Sequence, residues 1–137
     1  MRLSISILLC AAALTAQAQI DLKVEAILNK PDAGGTLQVL LCPTAKAYRT
    51  GTGCATRQVP VEGRVASCIF EGILPGTYAV KAFQDLNGNG ELDTSRFGWP
   101  KEPCGFSNEA PVSGGAPFRV AAFEVWEGMG TVRVVLR

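Results

Sequence analysis

The chain has 137 residues, with 13 lysines and arginines against 12 acidic residues and no histidine. A net charge of +1 gives no basic surplus that would attract nucleic acid or anionic lipid. The absence of histidine removes the usual general base for a serine or cysteine nucleophile, so catalysis would need carboxylates or a metal ion.

Residues 1–18 predict a secretory signal peptide. Arg2 provides a positive charge, an uncharged apolar run follows it, and the small residues Ala16 and Ala18 form a cleavage pattern. The run is shorter than the ~20 apolar residues of a membrane span, and no later stretch is apolar enough to cross a membrane. We therefore expect residues 19–137 to form one exported domain, periplasmic or secreted.

Four cysteines lie beyond the predicted cleavage site: Cys42, Cys54, Cys68 and Cys104. In an oxidising compartment they predict two disulfides, for which three connectivities are possible. We favour Cys42 with Cys54, which closes a short polar loop and leaves Cys68 with Cys104. Buried free thiols are the alternative. Zinc is less favoured, because no two cysteines are close in sequence and histidine is absent.

Apolar residues at every second position predict strands with one buried face. The pattern is clearest in residues 20–28, and it resumes in residues 36–42 after Pro31 and two glycines. We expect these two strands to be antiparallel neighbours. The other predicted strands are residues 65–73, 76–84, 117–128 and 130–137.

Two segments without a sustained pattern separate these strands. Residues 43–63 predict a long loop with one helical turn near residues 45–48. Residues 85–116 predict a second loop, far longer than the usual ~4–6 residues, and loops of that length are functional or disordered. Because about six or seven strands are predicted without a long helix or a repeat, the chain reads as a single all-β sandwich.

Residues 85–93, with the sequence DLNGNGELD, place an oxygen-bearing side chain at every second position. Calcium takes about six to eight oxygen ligands, and an EF-hand loop supplies them from positions 1, 3, 5, 7, 9 and 12, with glycine at position 6. The loop predicts a weakly held calcium ion, with a dissociation constant of about 10⁻⁴ to 10⁻³ M. The candidate metal ligands are Asp85, Asn87, Asn89, Glu91 and Asp93.

The loop differs from an EF-hand in two respects. Arg96 occupies position 12, where a carboxylate is required, and the loop follows a strand. Glu102 or the side chain of Glu91 would have to supply the further carboxylate. The alternative interpretation is a pair of Asn-Gly turns, which explains the glycines but not an aspartate at both ends.

Residues 97–108, FGWPKEPCGFSN, combine aromatic residues, prolines and a Lys-Glu pair. One interpretation is a ligand surface, with a sugar or peptide stacked on the aromatic rings. We favour a structural interpretation, in which the aromatic side chains cover an open edge of the sandwich. The possible ligand-surface residues are Phe97, Trp99, Lys101, Glu102 and Asn108.

The chain from about Ile20 to Arg137 resembles an uncharacterised family of short exported bacterial proteins, domain of unknown function 2141. The resemblance depends on Pro-Gly-x-Tyr-Ala-Val at 75–80, Asp-x-Asn-x-Asn-Gly at 85–90, Gly-x-Pro-Lys-Glu-Pro-x-Gly-Phe-Ser-Asn at 98–108 and Ala-Ala-Phe at 121–123. Cys104 departs from this pattern, since an aromatic residue is common there. The resemblance implies a transthyretin-like or immunoglobulin-like sandwich and brings no activity with it.

These patterns together predict a non-catalytic exported module. Its calcium loop would order the segment up to Ala116, and the module would bind a protein, peptide or glycan at the bacterial envelope. One alternative is a small metal-assisted hydrolase with Asp93 and Glu102 as acid and base. Another is a structural domain without a ligand.

Overall fold

The computed structural model describes residues 12–113 and 115–137. Most of the predicted signal peptide therefore lies outside the described residues, and residues 12–19 are exposed without regular secondary structure. The strands are β1 (Ile20–Ile27), β2 (Thr36–Cys42), β3 (Ala55–Pro60), β4 (Val65–Ile73), β5 (Gly76–Asp85), β6 (Cys104–Phe106), β7 (Phe123–Val125) and β8 (Thr131–Val135), and the helices are α1 (Ala45–Thr50) and α2 (Phe118–Ala121).

The strands form two sheets, which confirms the predicted all-β sandwich. One sheet has the order β4-β1-β8, and the other has the order β3-β2-β5-β6, with β7 paired to the start of β5. All of these pairings are antiparallel except that of β1 with β8, which is parallel. Strands β3 and β4 contact each other at one side of the sandwich, and β6 and β8 do so at the other.

The alternation in β1 builds the main core. Leu22, Val24 and Ala26 are fully buried between the sheets. The intervening Lys23 and Glu25 face outward and form an ion pair of 3.3 Å. Because burial of apolar surface contributes about 25 cal/mol per Å², this inward face stabilises the strand far more than the surface ion pair does.

Strand β5 is covered on both faces, which the sequence did not predict. Val80 and Ala82 lie in the main core between the sheets. Ala79 points the other way, into a second cluster that includes Ala47 of α1 and Ala121 of α2. A layer of short helices therefore packs on the outer face of this sheet.

Several predicted elements differ from the structure. Strands β1 and β2 do not pair with each other, since they belong to different sheets. The predicted loop at 43–63 contains the expected helical turn, as α1, but also the strand β3. The predicted loop at 85–116 contains β6, and the predicted strand at 117–128 is divided into α2 and β7.

The four cysteines fulfil half of the predicted disulfide pattern. Cys42 and Cys54 are bonded, joining the end of β2 to the start of β3 around α1. The predicted bond between Cys68 and Cys104 is wrong, because both are free thiols. Cys68 lies on β4 and Cys104 on β6, at opposite sides of the sandwich. Burial raises the pKa of both thiols.

The helices of the structure are short. Within residues 12–113 and 115–137, no helix is long and apolar enough to cross a membrane.

Candidate functional site

The loop at residues 85–93 begins at the end of β5 with a buried carboxylate. Asp85 is 2% exposed, and its two carboxylate oxygens accept hydrogen bonds from the backbone N–H groups of Gly88 and Gly90, at 2.9 and 2.8 Å. Both glycines have left-handed backbone angles, with φ of 73° and 77°, which a residue with a side chain rarely adopts. The glycines thus let the chain wrap around the Asp85 carboxylate.

The far end of the loop is held by a second carboxylate. The side-chain amide of Asn89 donates to Asp93 Oδ1 at 2.8 Å, and that of Asn87 donates to Asp93 Oδ2. The amide oxygens of Asn87 and Asn89 accept hydrogen bonds from the backbone two residues further along the chain, at Asn89 and Glu91. The loop therefore brings Asp93 together with both predicted amide ligands.

The predicted ligand set is only partly assembled. Glu91 is exposed, and it joins the loop through its backbone. Among the described residues, no three Asp, Glu, Cys or His side chains are grouped closely enough to hold a metal ion. The oxygen donors of the loop are thus two aspartate carboxylates, two asparagine amides and the backbone carbonyls.

Glu102 is a buried support for this loop. Its side chain is 6% exposed, and its two oxygens accept hydrogen bonds from the backbone N–H groups of Leu86 at 2.8 Å and Asp93 at 3.1 Å. Glu102 therefore fixes both ends of the loop. The hydrolase alternative pairs this carboxylate with that of Asp93, and each of the four oxygens already accepts a hydrogen bond.

A small hairpin follows the loop and presents two aromatic side chains. Thr94 and Pro100 form its bridge, and Ser95 Oγ accepts hydrogen bonds from the N–H groups of Phe97 and Trp99. Phe97 is 81% exposed and Trp99 is 56% exposed. The interpretation that these two rings cover the edge of the sandwich is wrong, because the tight hairpin turns them toward solvent.

Other residues of the 97–108 segment have different roles. Lys101 is exposed at the base of the hairpin. The side-chain amide of Asn108 donates to the carbonyl oxygens of Val120 and Ala122, at 3.3 and 2.6 Å, and so anchors α2. Asn108 also has a φ of 57°, a left-handed angle that asparagine tolerates better than most residues. Of the five possible ligand-surface residues, four are therefore exposed and Glu102 is buried, and the exposed Asn108 is engaged in hydrogen bonds that hold the fold.

The sequence did not reveal a cavity on the outer face of the second sheet. Its volume is about 530 Å³, and the aromatic rings of Tyr48, Phe106 and Phe118 line it. The centroid of the Tyr48 ring lies 5.9 Å from that of Phe106 and 5.8 Å from that of Phe118. The sequence does contain one indication of this cavity, a lysine within a strand that is otherwise uncharged before its last residue. That lysine is Lys81 of β5, and it lines the cavity.

A family model described as an uncharacterised protein conserved in bacteria, DUF2141, matches residues 26–133. The chain belongs to this family. The match begins at the end of β1 and ends within β8, and it includes the 85–93 loop, the hairpin and the residues that line the cavity. No curated protein and no solved structure matches the chain.

Proposed function

We propose that the chain is an exported, non-catalytic β-sandwich module whose 85–93 loop binds calcium and thereby orders a surface for a partner at the bacterial envelope. The position of Asp93 is the observation that supports this proposal most directly. Its carboxylate gathers the two asparagine amides, while its backbone carbonyl accepts a hydrogen bond from Lys101 at the base of the hairpin. An ion bound at this carboxylate would therefore act on both the loop and the hairpin.

The donor chemistry of the loop supports calcium over softer metals. Carboxylate and amide oxygens suit a hard cation, and the loop offers neither thiolate nor imidazole. In the structure, the side-chain amide N–H groups of Asn87 and Asn89 donate hydrogen bonds to the Asp93 carboxylate. Calcium would require these amides to turn their oxygens inward, which breaks existing hydrogen bonds, and this cost is consistent with a dissociation constant of about 10⁻⁴ to 10⁻³ M.

The hairpin supplies the proposed partner surface. Phe97 and Trp99 are exposed on a short, well hydrogen-bonded turn, so their rings can bury apolar area against a partner with little loss of backbone freedom. Lys101 adds a positive charge nearby. A protein, peptide or glycan of the envelope fits this combination of flat aromatic rings and one cation.

The test is a calcium titration of the purified oxidised protein, starting in chelator. Calcium at several millimolar should raise the free energy of unfolding by roughly 1 to 3 kcal/mol, as mass action predicts for such a site. The substitution Asp93→Asn removes one ligand charge and should abolish this increase. Asp32→Asn makes the same chemical change in an exposed turn between β1 and β2, and should leave the increase intact.

Isothermal titration calorimetry provides the direct readout of binding. A saturable calcium isotherm in the parent and in Asp32→Asn, absent in Asp93→Asn, is the expected result. If the parent shows neither heat nor stabilisation, the loop is only a turn and the calcium proposal fails. The remaining interpretation would then be a structural domain that holds its loop without a metal ion.

A further inference from the structure

The cavity on the outer face of the second sheet carries positive charge without a counter-ion. Lys81 lines it from β5, and Arg49 and Arg119 line it from α1 and α2. None of the described residues that line it is acidic. The ion pairs in the described part of the chain join Lys23 and Arg133 to Glu25, so none of them neutralises the cavity.

Lys81 is held against an aromatic wall. Its Nζ atom lies 4.6 Å from the centroid of the Tyr48 ring, a distance suited to a cation–π contact. Burial lowers the pKa of Lys81, because the ammonium group is removed from water without a nearby carboxylate. An anion beside this ammonium group would offset that desolvation.

Tyr48 contributes its aromatic ring to the cavity wall, while its hydroxyl group is closed to solvent. The residue is 5% exposed, and its hydroxyl oxygen is buried with no hydrogen-bond partner among the described residues. Buried hydroxyl groups are nearly always hydrogen-bonded, so this orphan is unusual, but the oxygen is closed off from the cavity. Tyr48 therefore offers a ligand its aromatic ring rather than a polar contact. The volume of about 530 Å³ is within the range of small-molecule sites, ~300 to 1,000 Å³.

We propose that this cavity binds a small organic anion, a carboxylate carried on an aromatic body. The rings of Phe106 and Phe118 provide stacking surfaces for the apolar body, and Lys81 provides the cation for the carboxylate. Two guanidinium groups, those of Arg49 and Arg119, add to the positive potential. A cationic ligand would be repelled here, and a small inorganic anion would leave the apolar walls without a partner.

This site is distinct from the calcium loop, and its occupation does not require calcium. Lys81 and Asp85 lie on the same face of β5 but four residues apart, which corresponds to about 13 Å along an extended strand. The binding experiment is therefore performed in chelator. Its outcome and the outcome of the calcium titration are independent of each other.

The experiment compares three probes on the purified oxidised protein by isothermal titration calorimetry. The probes are 2-naphthoate, its uncharged counterpart 2-naphthamide, and inorganic phosphate. We expect saturable binding of 2-naphthoate, binding of 2-naphthamide weaker by about tenfold or more because the charge-assisted contact is lost, and little competition from phosphate.

Three variants locate the site. Lys81→Met retains the apolar stem and removes the charge, and it should weaken 2-naphthoate about tenfold while leaving 2-naphthamide unchanged. Arg119→Gln changes an exposed residue and should weaken 2-naphthoate by a smaller factor without affecting the fold. Lys30→Met, which removes an exposed lysine in the turn between β1 and β2, is the matched control and should bind like the parent.

Three results would overturn the proposal. The first is no binding of either naphthyl probe. The second is equal affinity for 2-naphthoate and 2-naphthamide, or an unchanged 2-naphthoate affinity in both Lys81→Met and Arg119→Gln, since the cations would then have no role. The third is binding of phosphate as tight as that of 2-naphthoate. The cavity would then be a general anion site, and its aromatic walls would have no role in binding.

Discussion

The 85–93 loop and the aromatic cavity lie along the same strand, β5, but satisfy their polar groups in opposite ways. In the loop, the carboxylates of Asp85 and Asp93 accept hydrogen bonds from the loop itself. At the cavity, Lys81 lies against the Tyr48 ring and has no ion-pair partner among the described residues, and the Tyr48 hydroxyl is buried without a hydrogen-bond partner in the same part of the chain.

The carboxylates of the loop are hydrogen-bonded without a ligand, whereas the ammonium group at the cavity has no counter-ion among the described residues. A ligand for the loop must replace hydrogen bonds that already exist, so weak binding is expected. An anionic ligand in the cavity would pair with the Lys81 ammonium group, which has no ion-pair partner among the described residues, so this contact would add to affinity without breaking an existing one. Substitutions at three positions, Gly105, Glu102 and Tyr48, test this contrast through the free energy of unfolding.

The largest effect is expected where the two regions meet, at Gly105 of β6. Glu102, which supports the loop, precedes this strand, and Phe106 in the cavity wall is part of it. A Cβ atom on Gly105 would collide with the backbone carbonyl oxygen of Val135 in the opposite sheet. Gly105→Ala should therefore lower the free energy of unfolding by about 3 kcal/mol, since the backbone must move.

The matched control is Gly63→Ala, because a Cβ atom there meets nothing within 4 Å. Urea unfolding monitored by circular dichroism measures both variants. The control should stay within about 0.5 kcal/mol of the parent, as surface substitutions do. If Gly105→Ala is equally mild, β6 does not pack against β8 as closely as the structure indicates.

A smaller effect, confined to the loop, is expected at Glu102. Glu102→Ala leaves the N–H groups of Leu86 and Asp93 without their acceptor and should cost about 2 kcal/mol. Glu102→Gln keeps one acceptor oxygen and should cost less. Binding of 2-naphthoate in the cavity should be unchanged in both variants. A full loss of that binding would mean that the two regions are coupled and cannot be treated as separate sites.

The sequence predicts which side chains of a strand are buried, but it does not predict which strands are neighbours in a sheet. In β1, alternation marks Leu22 and Val24 as buried, because side chains point to opposite faces at every step. The same pattern contains no information about which strand lies next to it, so the predicted pairing of β1 with β2 is wrong. Strand β3 was missed because it is a mostly exposed edge strand, which needs no apolar alternation.

The two regions also differ in how far they could be predicted. The ligand candidates of the loop are adjacent in sequence, so their spacing alone brings Asn87, Asn89 and Asp93 together. The cavity is formed by residues from four separate segments, among them Tyr48 and Phe118, and only the fold places them side by side. Local pattern is therefore sufficient for the first region and insufficient for the second.

The smallest effect, and one of opposite sign, is expected in the cavity at Tyr48. Removing an unpaired buried hydroxyl should be neutral or favourable, so Tyr48→Phe should raise the free energy of unfolding by up to about 1 kcal/mol. Tyr78→Phe is the matched control, since the Tyr78 hydroxyl donates to the Leu74 carbonyl oxygen at 2.9 Å, and its loss should cost about 0.5 to 1 kcal/mol.

Burial also raises the pKa of Tyr48 from 10.0 to about 12. Between these values the unfolded chain loses the phenolic proton while the folded chain keeps it, so this residue's contribution to stability falls as the pH rises. That component should be absent from Tyr48→Phe when urea unfolding is compared at pH 9 and 11. Destabilisation of Tyr48→Phe equal to that of Tyr78→Phe would show that the Tyr48 hydroxyl is already hydrogen-bonded, and the contrast between the cavity and the loop would then rest on Lys81 alone.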